Sequence, residues 1–132
     1  MAGPIGPELS RDPRPAGPLV TGFSGNAFKI GEASFPTGLW LTPDRASEWN
    51  SPPLDLLEAA ALAPLLALDP LPEFLLLGTG GAMRRPSPGF VADVEGYGIG
   101  VEAMDSRAAA RAWGVLRSEG RWIVAALLPL GD

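Results

Sequence analysis

The residues with the clearest chemical potential form a glycine-rich turn that is followed by two arginines. They come directly after a short apolar stretch and are Gly78, Thr79, Gly80, Gly81, Arg84 and Arg85. A glycine turn at the end of a buried strand can present backbone N–H groups to an anion, and arginine adds positive charge. Glycines at such a place are also typical of a tight turn in which backbone segments pack closely. The sequence leaves both interpretations open.

The turn lacks the remaining parts of known phosphate-binding motifs. A dinucleotide fingerprint requires a third glycine where this chain has Met83, and the Gly-Lys-Ser/Thr of a P-loop is missing. The next predicted helix begins near Pro88, too late for its N-terminus to meet the glycines directly. These departures favour a structural turn, or a pocket for an anion or a partner, over a nucleotide site.

A second polar segment is expected at the same end of the predicted sheet. Asp105 and Ser106 follow the next strand, and loops at the carboxyl ends of parallel strands converge. We expect the Gly78–Ala82 turn and these two residues to line one crevice. Ser106 is also predicted to cap the following helix, with Asp105 serving the helix dipole or pairing with an arginine. Without a nearby histidine or lysine the crevice cannot assemble a nucleophile–base pair, so a partner contact is favoured over a reaction.

Composition narrows the classes of function. The 132 residues include neither cysteine nor histidine, and the formal net charge is −5. The missing residue types exclude disulfides, thiolate metal sites and histidine-based triads. A nucleic-acid-binding surface requires clustered basic charge, and the net negative charge of this chain argues against such a surface. We therefore predict no metal, no cofactor, no catalytic residues and no nucleic-acid partner, and an enzyme is disfavoured.

The two ends of the chain bear on its location. The longest apolar run, residues 122–130, is much shorter than the roughly 20 residues of a membrane-spanning helix. Residues 1–18 lack the apolar core of a signal peptide, and their proline-rich composition predicts a disordered arm. Residues 19–132 are then expected to form a single domain. We expect a soluble, cytoplasmic protein, with a location beside a membrane complex left open.

The elements that must position the glycine turn follow from apolar runs and turn residues. Strands are predicted at residues 19–23, 27–30, 39–41, 73–77, 99–104 and 121–128, and helices at 88–95 and 106–119. Pro64 divides the leucine-rich stretch 54–68 into short helical pieces, or places a helix start near Ala63. Strand–helix–strand–helix–strand in the second half is typical of parallel strands joined by crossovers. We predict a three-layer α/β domain around a central mixed, partly parallel sheet, with an N-terminal β-hairpin element.

Two tryptophans are expected in different surroundings. The helix predicted over residues 106–119 has apolar residues at helical spacing, and these are Ala109, Ala110, Trp113 and Leu116. Trp113 is therefore expected to pack against the central sheet. The four tryptophans are mostly core residues by default, and Trp49, in a proline-containing loop, is the one expected to be the most exposed, where it could anchor a partner.

Several segments together resemble one family of small domains. They are LLLGTG at residues 75–80, GIGVEAMDS at 98–106 and RAAARAWGVLRSEGRWIVAALLP at 107–129, preceded by TGFSGNAFKIG and LWLTPDRASEW. The resemblance covers roughly residues 19–130, and its specificity lies in the order and spacing of the pieces. The family includes the mitochondrial complex I (NADH dehydrogenase) assembly factor 3 group. This chain departs from the family at Ser106, where threonine is usual, and at Trp113-Gly114, where Tyr-Asn is frequent.

The resemblance implies a three-layer fold and a role in assembling respiratory or other membrane protein complexes, without known catalytic residues. A non-catalytic interaction protein with a protein partner is therefore our first hypothesis. A small-molecule-binding or anion-binding protein, or an enzyme that uses the crevice, is the second. The third is a structural domain whose N-terminal arm orders on a partner. A monomer and a dimer are both compatible with the sequence.

Overall fold

Two β-sheets form the framework of residues 17–131, the part of the chain that the computed structural model describes. The smaller sheet is antiparallel and contains β1 (Gly22–Ser24), β2 (Ala27–Ile30) and β3 (Ala33–Phe35). The larger sheet contains β4 (Leu39–Leu41), β5 (Ala46–Glu48), β6 (Phe74–Gly78), β7 (Gly100–Met104) and β8 (Val124–Leu127). Its spatial order is β5-β4-β8-β6-β7.

Helices connect the strands of the second half. They are α1 (Ala63–Leu66), α2 (Pro88–Glu95) and α3 (Ser106–Ser118). Two 3₁₀ turns, Leu54–Leu56 and Ala59–Leu62, precede α1. The leucine-rich stretch is thus divided into short pieces, with Pro64 in the first turn of α1, where its missing N–H costs little.

The larger sheet is mixed, as the sequence predicts. Strand β6 lies parallel to both neighbours, so that Leu76 is opposite Glu102 on one side and Ala125 on the other. Strand β4 runs antiparallel to β8 and β5. The predicted α/β class, the mixed sheet and the β1–β2 hairpin are confirmed. Strands β3 and β5 were not predicted, because each has only three residues and is too short to show an alternating pattern.

Side chains of the central strands alternate between two cores, one on each face of the sheet. Leu75 and Leu77 pack with the α1 and α2 side, whereas Leu76 packs with Trp113 of α3. Trp113 is fully buried, which confirms its predicted place against the sheet. Burial on both faces explains the continuous apolar run of β6.

The expected exposure of Trp49 is wrong. Its side chain is only 6% exposed, and its ring centroid lies 6.1 Å from that of Trp40. The backbone N–H of Trp49 donates to Gly38 O at 3.2 Å, which draws the loop back onto the sheet. Prolines in the local sequence indicate a loop, but they do not indicate which surface the loop covers.

The predicted arm lies almost entirely outside the described residues. Its last two residues, Gly17 and Pro18, are described. The carbonyl oxygen of Pro18 accepts a hydrogen bond of 2.9 Å from Trp113 Nε1. The described chain therefore begins in contact with α3.

Candidate functional site

The two polar segments meet at one end of the central sheet. Because β6 and β7 are parallel, the turn after β6 and the residues after β7 lie at the same end of the sheet, where the strands finish. Ser106 N donates to Gly80 O at 2.8 Å, and Gly80 N donates to Ser106 Oγ at 2.8 Å. Thr79 N donates to Met104 O at 2.9 Å. These bonds join the two segments directly, leaving no open space between their backbones at this point.

Thr79 organises the turn with its hydroxyl group. Thr79 Oγ1 donates to Ala82 O at 2.7 Å and accepts from Arg84 N at 3.1 Å. The carbonyl oxygen of Thr79 accepts from Arg84 Nη2 at 3.0 Å. Residues 79–84 therefore form a compact turn around the buried side chain of Thr79.

The glycines have identifiable steric roles. A Cβ atom on Gly78 would lie 2.7 Å from Ser106 Oγ and 2.8 Å from a methyl carbon of Leu127, so only glycine fits there. Gly80 has φ +102°, a backbone conformation that other residues rarely adopt. Both observations support the interpretation of a tight turn with close packing. The N–H groups of Thr79 and Gly80 are already bonded within the protein, which weakens the anion-binding interpretation.

The predicted site residues divide into a buried and an accessible set. Gly78, Thr79, Gly80 and Ser106 are buried, and we call them the turn cluster. Asp105 is half-buried, and Gly81, Arg84 and Arg85 are exposed. The turn cluster thus supports the neighbouring loop from below. The accessible surface is that loop, residues 81–85, which we call the contact loop.

The predicted helix cap at Ser106 is wrong by one residue. Asp105 is extended, with φ −60° and ψ 158°, and its Oδ1 accepts from Ala108 N at 2.9 Å. Asp105 is therefore the N-cap, which also places its negative charge at the positive end of the helix. Ser106 is the first helical residue, and its hydroxyl turns into the sheet, where it donates to Leu128 O at 2.7 Å.

The two arginines line separate grooves. Arg84 lies with Ser51, Pro53 and Leu54 around a space of about 330 Å³. Arg85 lies beside a larger groove of about 710 Å³ between α2 and β7. The structure does not bring the two guanidinium groups into one pocket, because successive residues of this loop turn towards different sides of the domain.

We call the larger space the α2–β7 groove. Its walls include Met83, Pro86, Val91, Val101 and Ala103. Met83 is 56% exposed, a high value for an apolar side chain. Sequence reasoning missed this groove, although Glu102 in the middle of a predicted strand was a usable signal, since a charged residue inside a strand is typical of a sheet edge.

A further groove of about 750 Å³ lies between the β4–β5 hairpin and α1, with Trp40, Arg45 and Leu65 among its walls. Within residues 17–131, Trp40 Nε1 is the buried side-chain polar atom that has no hydrogen-bond partner. This nitrogen is itself enclosed by protein atoms. It therefore cannot reach a ligand in the groove without a rearrangement of the indole ring.

The clearest perturbed acid lies away from the contact loop. The side chain of Arg121 donates to Glu73 Oε1 at 2.7 and 2.9 Å, and this hydrogen bonding lowers the pKa of Glu73. Trp122 N donates to the other carboxylate oxygen and lowers the pKa further. Glu73 precedes β6, whereas the turn cluster follows it. The ion pair therefore stabilises the opposite end of the sheet.

Two further properties concern the described part of the chain. Residues 17–131 contain no group of three or more acidic side chains placed to hold a metal ion. None of the helices in this range has both the length and the apolar character required to cross a membrane.

Residues 20–128 match the sequence model of a family described as "Protein of unknown function (DUF498/DUF598)". An uncharacterised protein of Rhodobacter capsulatus is 34% identical over 121 residues, which cover 91% of this chain and 92% of that protein. The solution structure of a Mth938-like domain from Bordetella pertussis superimposes with a TM-score of 0.74 at 30% identity, covering 87% of each chain.

A more distant relative carries a functional name. NADH dehydrogenase [ubiquinone] 1 alpha subcomplex assembly factor 3 of Danio rerio is 28% identical over 114 residues. The match covers 86% of this chain and 66% of the length of that protein. The resemblance derived from the glycine turn and the strand and helix after it is thereby confirmed.

Proposed function

We propose that this chain, which belongs to the DUF498/DUF598 family, is a non-catalytic protein that binds another protein and assists assembly of a respiratory or other membrane protein complex. The observation that carries the proposal is the contact loop, which is exposed yet held in a defined shape by the turn cluster. A loop held in this way presents its side chains to a partner at a small cost in conformational entropy. The relative named as a complex I assembly factor supports the choice of partner class.

The chemistry of the turn cluster supports binding over reaction. Thr79 Oγ1 and Ser106 Oγ are both buried, and each donates its proton to a backbone carbonyl. A nucleophile must instead reach its substrate and transfer its proton to a base. The two hydroxyl groups thus hold backbone segments together, and this structural role explains why they are buried.

The contact loop has the composition of a protein-binding surface. Met83 provides exposed apolar area, and Arg84 and Arg85 follow it. Methionine and arginine are enriched in protein interfaces, where apolar anchors are surrounded by polar groups. Arg84 also bonds to Thr79 O, so Arg85 is the arginine better suited to a partner contact. We propose that Met83 and Arg85 contact the partner, with Asp105 at the border of the surface.

Affinity capture from native membranes tests the proposal. A tagged form of this protein is recovered after mild cross-linking, and captured subunits of membrane complexes are identified by mass spectrometry. Each captured subunit is then tagged in turn, and recovery of this protein with it confirms the contact. The variant Met83→Asp with Arg85→Glu should reduce recovery at least tenfold. Arg111→Glu, a charge reversal at an exposed position of α3, is the control and should recover the subunits normally.

Two results would contradict the proposal. The first is capture of no membrane-complex subunit by the unaltered protein. The second is equal recovery of the subunits by the Met83/Arg85 variant and the unaltered protein, which would show that the contact surface lies elsewhere. Both variants must retain the melting temperature of the unaltered protein for the comparison to hold.

A further inference from the structure

Among residues 17–131, strand β7 ends the larger sheet, and its outer edge has no pairing strand. Gly100 N donates to Glu73 O at 3.3 Å, and Met104 O accepts from Thr79 N at 2.9 Å, so both residues face β6 with their backbone groups. Alternate residues of a strand direct these groups to opposite edges. Val101 and Ala103 therefore direct their N–H and C=O groups away from the sheet. Within residues 17–131, β6 is the single strand that pairs with β7.

The outer edge of β7 has few of the features that protect sheet edges. Natural edges are commonly short, bulged, or interrupted by lysine or proline. Strand β5, at the other edge, follows this rule with three residues. Strand β7 has five residues in continuous register with β6, and Glu102 is its one charged residue.

A largely apolar groove lies directly beside the unpaired edge, with Arg85 and Glu95 as the charged residues of its wall. The side chains of Val101 and Ala103 form part of the α2–β7 groove, together with Met83 of the contact loop. A strand placed along β7 would have every second side chain on this face. The unpaired backbone groups and the groove thus belong to one continuous surface.

We propose that β7 is a docking edge on which an extended segment of the partner protein adds a sixth strand to the larger sheet. The inference rests on the proposed function and specifies how the partner binds. Backbone groups of the segment pair with Val101 and Ala103. Two apolar side chains of the segment enter the α2–β7 groove, and a basic side chain between them lies opposite Glu102. Main-chain pairing of this kind supplies affinity, and the alternate side chains supply specificity.

Charge distinguishes a basic partner segment from a second copy of this chain. Two β7 strands could pair antiparallel by matching Val101 of each copy with Ala103 of the other. That register places the two Glu102 residues directly opposite each other, in the pair type whose side chains are closest. Like charges in this position are destabilising, and a lysine or arginine is favourable. The edge therefore selects against its own copy and in favour of a basic segment.

The test uses two blocked synthetic peptides, Thr-Val-Lys-Val-Thr and Thr-Val-Glu-Val-Thr, titrated to millimolar concentration. Binding is followed by NMR through the amide signals of Val101 and Ala103. The lysine peptide should bind at least threefold more tightly than the glutamate peptide. In the variant Glu102→Lys this preference should reverse.

Backbone pairing is tested by Ala103→Pro, which removes one outward N–H group and leaves the bonds to β6 intact. This variant should bind the lysine peptide at least tenfold more weakly. Ala103→Ser, which keeps the N–H group, is the matched control and should bind the lysine peptide more tightly than Ala103→Pro, since it changes only the side chain in the groove. If Ala103→Pro fails to fold, a peptide N-methylated at its two valines provides the same comparison with the unaltered protein, since it lacks two backbone donors.

Several results would overturn the inference. They are the absence of shifts at Val101 and Ala103, equal binding by the proline and serine variants, and a dimer that Ala103→Pro dissociates. In membrane capture, full recovery of complex subunits by Ala103→Pro would refute the docking edge and leave the proposed function standing. Peptide binding with the expected preferences, combined with capture of no complex subunit, would refute the proposed function alone.

Discussion

Ser106 Oγ donates a hydrogen bond of 2.7 Å to the carbonyl oxygen of Leu128, and both residues are fully buried. The same hydroxyl accepts from Gly80 N. One side chain at the start of α3 therefore connects the turn after β6 with the end of β8. Three segments that are distant in sequence share this contact, so it holds the base of the contact loop.

Ser106→Ala should lower the free energy of unfolding by about 2–4 kcal/mol, because it leaves the Gly80 N–H and the Leu128 C=O buried without a partner. Chemical denaturation measures the change. Ser118→Ala, an exposed serine on the same helix, is the control and should change stability by less than about 0.5 kcal/mol. An equally small effect at Ser106 would show that water or a backbone shift replaces its hydroxyl group.

Trp113→Ala should lower the free energy of unfolding by about 3–5 kcal/mol. The indole ring is completely buried between α3 and the sheet, and its Nε1 donates to Pro18 O. Val115→Ala serves as the control, since Val115 is 58% exposed on the same helix and should contribute little. A loss below about 1 kcal/mol at Trp113 would be incompatible with its burial in the core.

Gly114→Ala should raise the free energy of unfolding by about 0.5–1 kcal/mol. Gly114 lies inside α3, and glycine is among the least favourable residues in a helix interior. A Cβ atom at this position would have no neighbour within 4 Å, so the added methyl group causes no clash. Thermal melting should show a higher midpoint, and a decrease would indicate that the glycine is required for a local distortion of the helix.

Glu73→Gln should reduce stability at neutral pH and have a smaller effect in acid. The bond to Arg121 lowers the pKa of Glu73 from its ordinary value of 4.5, so the folded protein favours the ionised form. The stabilisation is fully present above that value and is lost as pH falls through the lowered pKa of the folded state. Urea denaturation between pH 7 and pH 3 measures the difference between the two proteins.

Glu95→Gln, which removes an exposed carboxylate at the end of α2, is the control for this comparison. Its effect on the free energy of unfolding at neutral pH should be smaller than that of Glu73→Gln. If the difference in free energy of unfolding between the Glu73 variant and the unaltered protein stayed constant down to pH 3, the carboxylate charge would not contribute to stability. High salt should also weaken the effect, because both partners of the ion pair are exposed to solvent.

The regular elements of the second half could be predicted closely. Residues 73–77 and 99–104 were expected as strands, and the structure has them at Phe74–Gly78 and Gly100–Met104. The helix after Asp105 was also expected, because apolar residues recur on one of its faces. Local spacing carries this information, since it reports which side of each element is buried.

Local spacing carries less information about polar residues. Asp105 and Ser106 are adjacent and both suit a helix cap, and only the position of α3 over the sheet decides that Asp105 caps the helix while Ser106 bonds to Leu128. Arg117 is a charged residue outside the apolar stripe of α3, yet it is buried and its Nη1 donates to Arg121 O at 2.6 Å. These roles depend on acceptors supplied by other segments.

Local patterns in the sequence predict the α/β class, the glycine turn after β6 and its approach to the residues after β7, because parallel strands joined by crossovers finish at the same end of a sheet. Those patterns do not predict that close packing fills the space between Gly78 and Ser106, that Arg84 and Arg85 line separate grooves, or that β7 ends the sheet of the described residues. Strand order and the distances between packed backbones arise from simultaneous contacts among remote segments, and neither periodicity nor motif spacing encodes those contacts.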